Sequence, residues 1–167
     1  MAAQYYPKTK TVRLGITDTG VGIFRTITKS WSAEEDIEAI KLALTPGITG
    51  TTTREGGSST NAGAGLFFIK SLAVFSRDYF IVYSGSGLYK LTKRDKRVKI
   101  PRLKANPSDD THSEINAAPY FPGTVVAIDI SVATTDEFAD LLSTIRKVYV
   151  QAVKERKRRT YKEPKFL

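Results

Sequence analysis

Apolar and polar positions along this chain change period several times, and each change predicts an element. Residues 11–17, TVRLGIT, alternate and predict a strand that ends at Asp18; Ala2-Ala-Gln-Tyr-Tyr-Pro7 ahead of it reads as a strand and turn. The segment FRTITKSW, 24–31, follows no clean period. Ser32-Ala-Glu-Glu35 has capping-box form and predicts a helix through Leu44, with Ile37, Ile40, Lys41 and Leu44 at helical spacing. Residues 45–61, TPGITGTTTREGGSSTN, hold no apolar run and read as a long loop, of the length that is functional or disordered. AGAGLFFIKSLAVFS predicts a buried helix over 62–76, with Phe67, Phe68 and Phe75 in the core. DYFIVYSG and GLYKLT predict a hairpin on a Ser-Gly turn. A short strand is expected near 97–103, then a polar loop through Pro122. GTVVAIDIS, 123–131, is the strongest strand. Phe138, Leu141, Leu142, Ile145, Val148 and Tyr149 recur at three and four and predict a helix over 135–157.

The layout is α+β: a two-layer α/β sandwich whose mixed, mostly antiparallel sheet carries helices on one face. One domain is expected over 1–157, with a basic tail over 158–167. Composition refines this. From residue 146 onward nine basic residues face two acids, so most of the net charge of +9 belongs to the C-terminal stretch and the body is nearly neutral. Such a run, KERKRRTYKEPKFL, is ordinarily solvated; its functional alternative is a nucleic-acid or anionic-membrane patch, not favoured because only Tyr161 and Phe166 could stack or insert. There is no cysteine, which excludes disulfides and thiolate metal sites. No apolar run is long enough to cross a membrane, and the first residues lack a signal-peptide core, so a cytoplasmic setting is expected.

Two glycine-rich stretches carry the candidate chemistry, and their charges differ. In the first, Asp18 precedes Gly20-Val-Gly22. A carboxylate repels phosphate but accepts a hydrogen bond from an exocyclic amino group such as that of adenine; it could also hold a metal ion, or merely bond its own turn. The second, Gly56 to Leu66, has no acid from its first glycine to Asp78 and runs into a helix start, where free N–H groups favour an anion. Gly63 and Gly65 would let phosphate oxygens approach, or let the chain pack closely. Lys70, one turn on, would add positive charge, or extend into solvent. The dinucleotide fingerprint fails at Phe68, and no GK[ST] follows a glycine loop. His112, the one histidine, sits in a polar loop and receives no role.

DTGVGI, GGSSTNAGAGLFFIKSLA and GTVVAIDI, in that order, resemble the glycine boxes of the GHKL superfamily, the Bergerat ATP-binding fold of gyrase B subunits, ninety-kilodalton heat-shock chaperones, histidine kinases and MutL proteins. The resemblance covers roughly residues 11–131. It implies that Asp18 meets the adenine amino group while Gly20 and Gly22 shape the turn around the base. It implies that Asn61, Gly63, Ala64, Gly65 and Leu66 form the phosphate end of a lid whose body is 45–60, and that Thr124, beside Gly123, lies near the adenine. Gly123 and Thr124 could equally just begin a strand. The family's upstream helix, whose Asn helps hold Mg²⁺ and whose Glu acts as base, has no match before residue 11. The expectation is therefore an N-terminally truncated ATP or ADP site with little hydrolysis, Mg²⁺ belonging to the complete protein. The resemblance further implies a module of a larger bacterial signalling or regulatory protein that meets a protein partner or its own copy. A protein-serine kinase of the anti-sigma kind and a nucleic-acid-binding module are the alternatives.

Overall fold

Five antiparallel pairings join six strands in the order β1-β2-β6-β3-β4-β5, in a computed structural model that describes residues 1–76, 78–92, 102–131 and 135–161. The strands are β1 (Ala2–Tyr6), β2 (Thr11–Asp18), β3 (Phe80–Gly85), β4 (Gly87–Leu91), β5 (His112–Ile115) and β6 (Phe121–Ser131); the helices are α1 (Gly22–Ile27), α2 (Asp36–Leu44), α3 (Gly65–Ser76) and α4 (Thr135–Thr160). The α+β two-layer expectation holds, with every described pairing antiparallel. Among the described residues no helix is long and apolar enough to cross a membrane.

The period of two explains which sheet face is covered. Leu14 and Phe80 both stand opposite Ile128, and Val82 stands opposite Val126. One side of β2, β3 and β6 therefore presents a continuous apolar patch. Against it pack Ile23 and Ile27 of α1, Ile37, Ile40 and Leu44 of α2, and Ala73 and Val74 of α3. Full burial of side chains such as Ile40, Leu44 and Phe80 contributes about 1.5–3 kcal/mol each.

Local chemistry moves several expected boundaries. α2 starts at Asp36, not Ser32, because Glu35 is extended (φ −132°, ψ 156°) and makes no side-chain cap. The capping-box expectation is thus corrected: the Glu38 carboxylate accepts the Glu34 N–H at 2.8 Å, and the Asp36 carboxylate accepts the Ser86 N–H at 2.9 Å in the β3–β4 turn. α3 starts at Gly65 rather than Ala62, since Gly63 has φ +63° and cannot join a right-handed helix. The segment without a period begins inside α1. The polar stretch before Pro122 contains β5, a short edge strand whose one apolar residue, Ile115, is half exposed. Residues 93–101 lie outside the described residues, and most of the strand expected at 97–103 with them. α4 runs on to Thr160, across the expected boundary between domain and tail; 162–167 are again outside the described residues.

Candidate functional site

A cleft of about 340 Å³ opens where the ends of β2 and β6 meet α1, the 45–64 loop and the start of α3. Its first wall is a product of strand register. Asp18 stands directly opposite Thr124, and Thr124 directly opposite Ser84. All three share the parity of Leu14, Ile128 and Val82, so their side chains lie in a row on the helix-bearing face at one end of the sheet. Ser84 is buried, accepts the Ile23 N–H at 2.9 Å and donates to the Gly123 carbonyl at 2.7 Å. It thereby docks the first turn of α1 against β6. Sequence reasoning did not single it out, because a serine in an apolar strand signals nothing until the strands are in register.

Asp18 is exposed, and its Oδ1 accepts the Gly20 N–H at 2.8 Å. The turn-forming role is therefore real, and the residue lines the cleft as well. A carboxylate offers roughly four lone-pair sites, so one bond to Gly20 leaves capacity for a ligand donor. Behind it, Gly123 has φ +105°, and a Cβ there would lie 2.1 Å from the Asp18 carbonyl oxygen. Only glycine permits that approach, so Gly123 serves the packing of the turn. Gly22 lines the cleft, whereas Gly20 does not.

The second wall is the glycine loop and the helix it feeds. Asn61, Gly63, Gly65 and Leu66 line the cleft; Ala64 does not, its carbonyl instead accepting the Phe68 N–H at 2.8 Å as α3 begins. The Asn61 side chain accepts the Gly63 N–H at 3.2 Å, and the Gly63 carbonyl accepts the Gly47 N–H at 2.9 Å. A Cβ on Gly63 would come within 2.4 Å of the Ile48 carbonyl oxygen, so the loop is closed on itself at this point. A Cβ on Gly65, by contrast, would meet nothing within 4 Å. The next N–H groups belong to the first turn of a helix, where no intrahelical acceptor exists. Ile23, Ile27 and Ile48 give the cleft an apolar lining between its two ends.

Lys70 lies elsewhere. Its side chain is fully buried, with Nζ 2.5 Å from Asp110 Oδ2 and 3.2 Å from the Lys104 carbonyl, and it does not line the cleft. Neither sequence reading, phosphate cation or solvated lysine, describes it: five residues past the helix start it has turned into the core. His112, given no role from the sequence, stacks on Tyr89 with centroids 4.7 Å apart and sits within 2.7 Å of the Asp110 carbonyl and 3.2 Å of Glu114 Oε2. Tyr89 donates to the Pro107 carbonyl at 2.9 Å, and burial first, Asp110 second, pushes its hydroxyl above the ordinary tyrosine range. These groups form a polar knot between α3, β4 and β5, and none of them lines the cleft.

Among the described residues no group of three or more His, Cys, Asp or Glu side chains gathers to hold a metal ion, so the described residues do not form a preformed cage for Mg²⁺. No family model matches the sequence, and no curated protein matches it.

Proposed function

We propose that this chain binds adenine nucleotides in the 340 Å³ cleft, as a GHKL-type module that recognises ATP or ADP with little turnover of its own. One observation carries the reading: Asp18, the 61–66 segment and Thr124, distant in sequence, line a single cleft, with Asp18 and Thr124 paired across neighbouring strands. The chemistry of the lining suits the ligand from end to end. The carboxylate accepts from an amino group on a purine edge, the isoleucines cover the faces of the ring, and Gly65 at the start of α3 offers phosphate oxygens backbone N–H groups without a Cβ in the way.

Among the described residues that line the cleft, Asp18 is the only ionisable side chain, and it is already engaged with Gly20. This supports binding over hydrolysis or phosphotransfer, both of which need a base beside the γ-phosphate. The serine-kinase alternative would have to obtain that base from outside the described lining of the cleft. Any Mg²⁺ would be held chiefly by the phosphates.

A thermal-shift titration with ATP and ADP, with and without Mg²⁺, tests the reading. At a hundredfold excess over Kd the bound ligand adds about 2.7 kcal/mol. Asp18→Asn keeps an acceptor for the turn but replaces the charge; loss of a charge-assisted bond of about 1.5–3 kcal/mol weakens binding roughly ten- to a hundredfold. No shift in the unsubstituted protein, or one unaffected by the substitution, would sink the adenine assignment.

A further inference from the structure

Helix α4 begins after the last strand and returns across the molecule to the back of the glycine loop. Arg156 donates from Nε to Glu55 Oε2 at 2.8 Å and from its guanidinium to the Pro46 carbonyl. About two turns earlier, Tyr149 donates its hydroxyl to the Ala62 carbonyl at 2.6 Å while its ring meets Phe67 of α3 at 6.3 Å. Between them Val153 is buried against Gly47 and Gly56, so closely that a Cβ on either would come within 2.6 or 3.0 Å of its methyl groups. α4 therefore holds the loop near both ends and in the middle, on the side away from Ile48, Gly50 and Gly63, which line the cleft.

The charge at this contact matters as much as the shape. Glu55 is the sole acid between Glu38 and Asp78, the one residue in the loop that would repel a polyphosphate. It is buried, absent from the cleft lining, and matched to Arg156. Burial also holds the Tyr149 hydroxyl above the ordinary tyrosine range, against an opposing pull from Arg156, so it remains a donor at physiological pH.

We propose that α4 is a brace for the glycine loop: Arg156, Tyr149 and Val153 set the loop's shape and neutralise its single acid, and the position of α4 thereby controls the affinity of the cleft for the phosphate half of its ligand. The residues act as positioning groups, and the phosphate half of the proposal rests on the nucleotide reading above. Amide exchange in the ligand-free full chain tests the brace without any ligand. Arg156→Ala is expected to speed exchange of the amides of residues 47–63 at least tenfold while those of β6 stay unchanged. Tyr149→Phe, which removes one hydrogen bond and keeps the ring, should shift the same amides by less, and serves if the first variant fails to fold. Calorimetry with adenosine and with ADP tests the consequence: Arg156→Ala should weaken ADP about tenfold and leave adenosine unchanged, with Arg156→Lys recovering part of the loss. Loop exchange that matches the unsubstituted protein in both variants overturns the brace. Equal weakening of adenosine and ADP, or none, overturns its link to phosphate. Should the unsubstituted protein bind neither compound, the nucleotide reading falls together with that link, while exchange still decides the brace.

Discussion

The two ends of the cleft are built by different means. The Asp18 end belongs to the sheet: β2 and β6 pair residue for residue from Thr11↔Ser131 to Asp18↔Thr124, and Ser84 ties the row to α1. The other end is a loop of some twenty residues held by a few backbone bonds, Gly47 to Gly63, Gly56 to Gly47 and Ser58 to Asn61, and by the side chains of α4. A ladder of strand bonds opens only with global unfolding, whereas a loop with few such bonds opens locally at much lower cost. The comparison teaches that a ligand spanning this cleft would meet a rigid surface at the Asp18 end and an adjustable one at the glycine-loop end, and that only the second is braced from elsewhere in the fold.

Substitutions can break that contrast, beginning with the largest effect. Asp110→Ala removes the carboxylate from the buried Lys70 ammonium and should cost about 3–5 kcal/mol, a fall in Tm of roughly 6–20 °C by calorimetry. The protein that remains folded should bind ADP as before, because Lys70 belongs to the core and not to the cleft. Next come Gly123→Ala and Gly63→Ala, each at positive φ and each driving a Cβ into a backbone carbonyl. The strain alone is worth about 1–3 kcal/mol. Gly123→Ala should abolish binding of adenosine and ADP alike, while Gly63→Ala should reduce ADP to the affinity of adenosine; titration of both variants with both compounds separates the two ends, and identical losses would erase the distinction.

Gly65→Ala is the sharpest of the set. Its Cβ meets nothing, and alanine at the start of a helix is favourable by up to about 1 kcal/mol, so Tm should hold or rise slightly. ADP affinity should nonetheless fall several-fold, and unchanged affinity would place the phosphates elsewhere. The smallest effect is remote from both ends. Lys41 lies 2.6 Å from Glu114, and that hydrogen bond, with help from His112, holds the Glu114 carboxyl below the usual glutamate range. A carboxyl with a lowered folded-state pKa stabilises the protein above the unfolded value, and the contribution disappears as pH falls through the folded one. Since Glu114 is substantially exposed, Lys41→Ala should cost under about 1 kcal/mol at neutral pH, the difference vanishing in acid unfolding curves. Nucleotide affinity should not change.

Much of the fold was legible where one period runs unbroken: the 80–91 hairpin, β6, the body of α3 and the apolar stripe of α4. Apolar alternation is a local signal, and it survived into the core unchanged. β5 was not legible, because a four-residue edge strand with polar side chains needs only a neighbour's free backbone, not an apolar pattern. The start of α2 was misread because Asp36, a residue of the helix itself, is spent on the Ser86 amide fifty positions away. At the site, Asp18, Asn61, Gly63 and Gly65 were visible as glycine-rich turns with and without an acid, while Ser84 and Arg156 were invisible, their partners lying in other elements.

Sequence alone determined the alternation that makes one sheet face apolar, the glycines that allow two sharp turns, and the separation of an acid at one turn from acid-free chain at the other. Tertiary structure decided that these turns share a cleft, that Lys70 faces Asp110 instead of solvent or ligand, and that a basic helix ends up behind the loop. The division has a physical origin. Backbone preference and periodicity act over a few residues, but which carboxylate meets which cation depends on strand register and helix packing, and those are settled by the burial of the whole core at once.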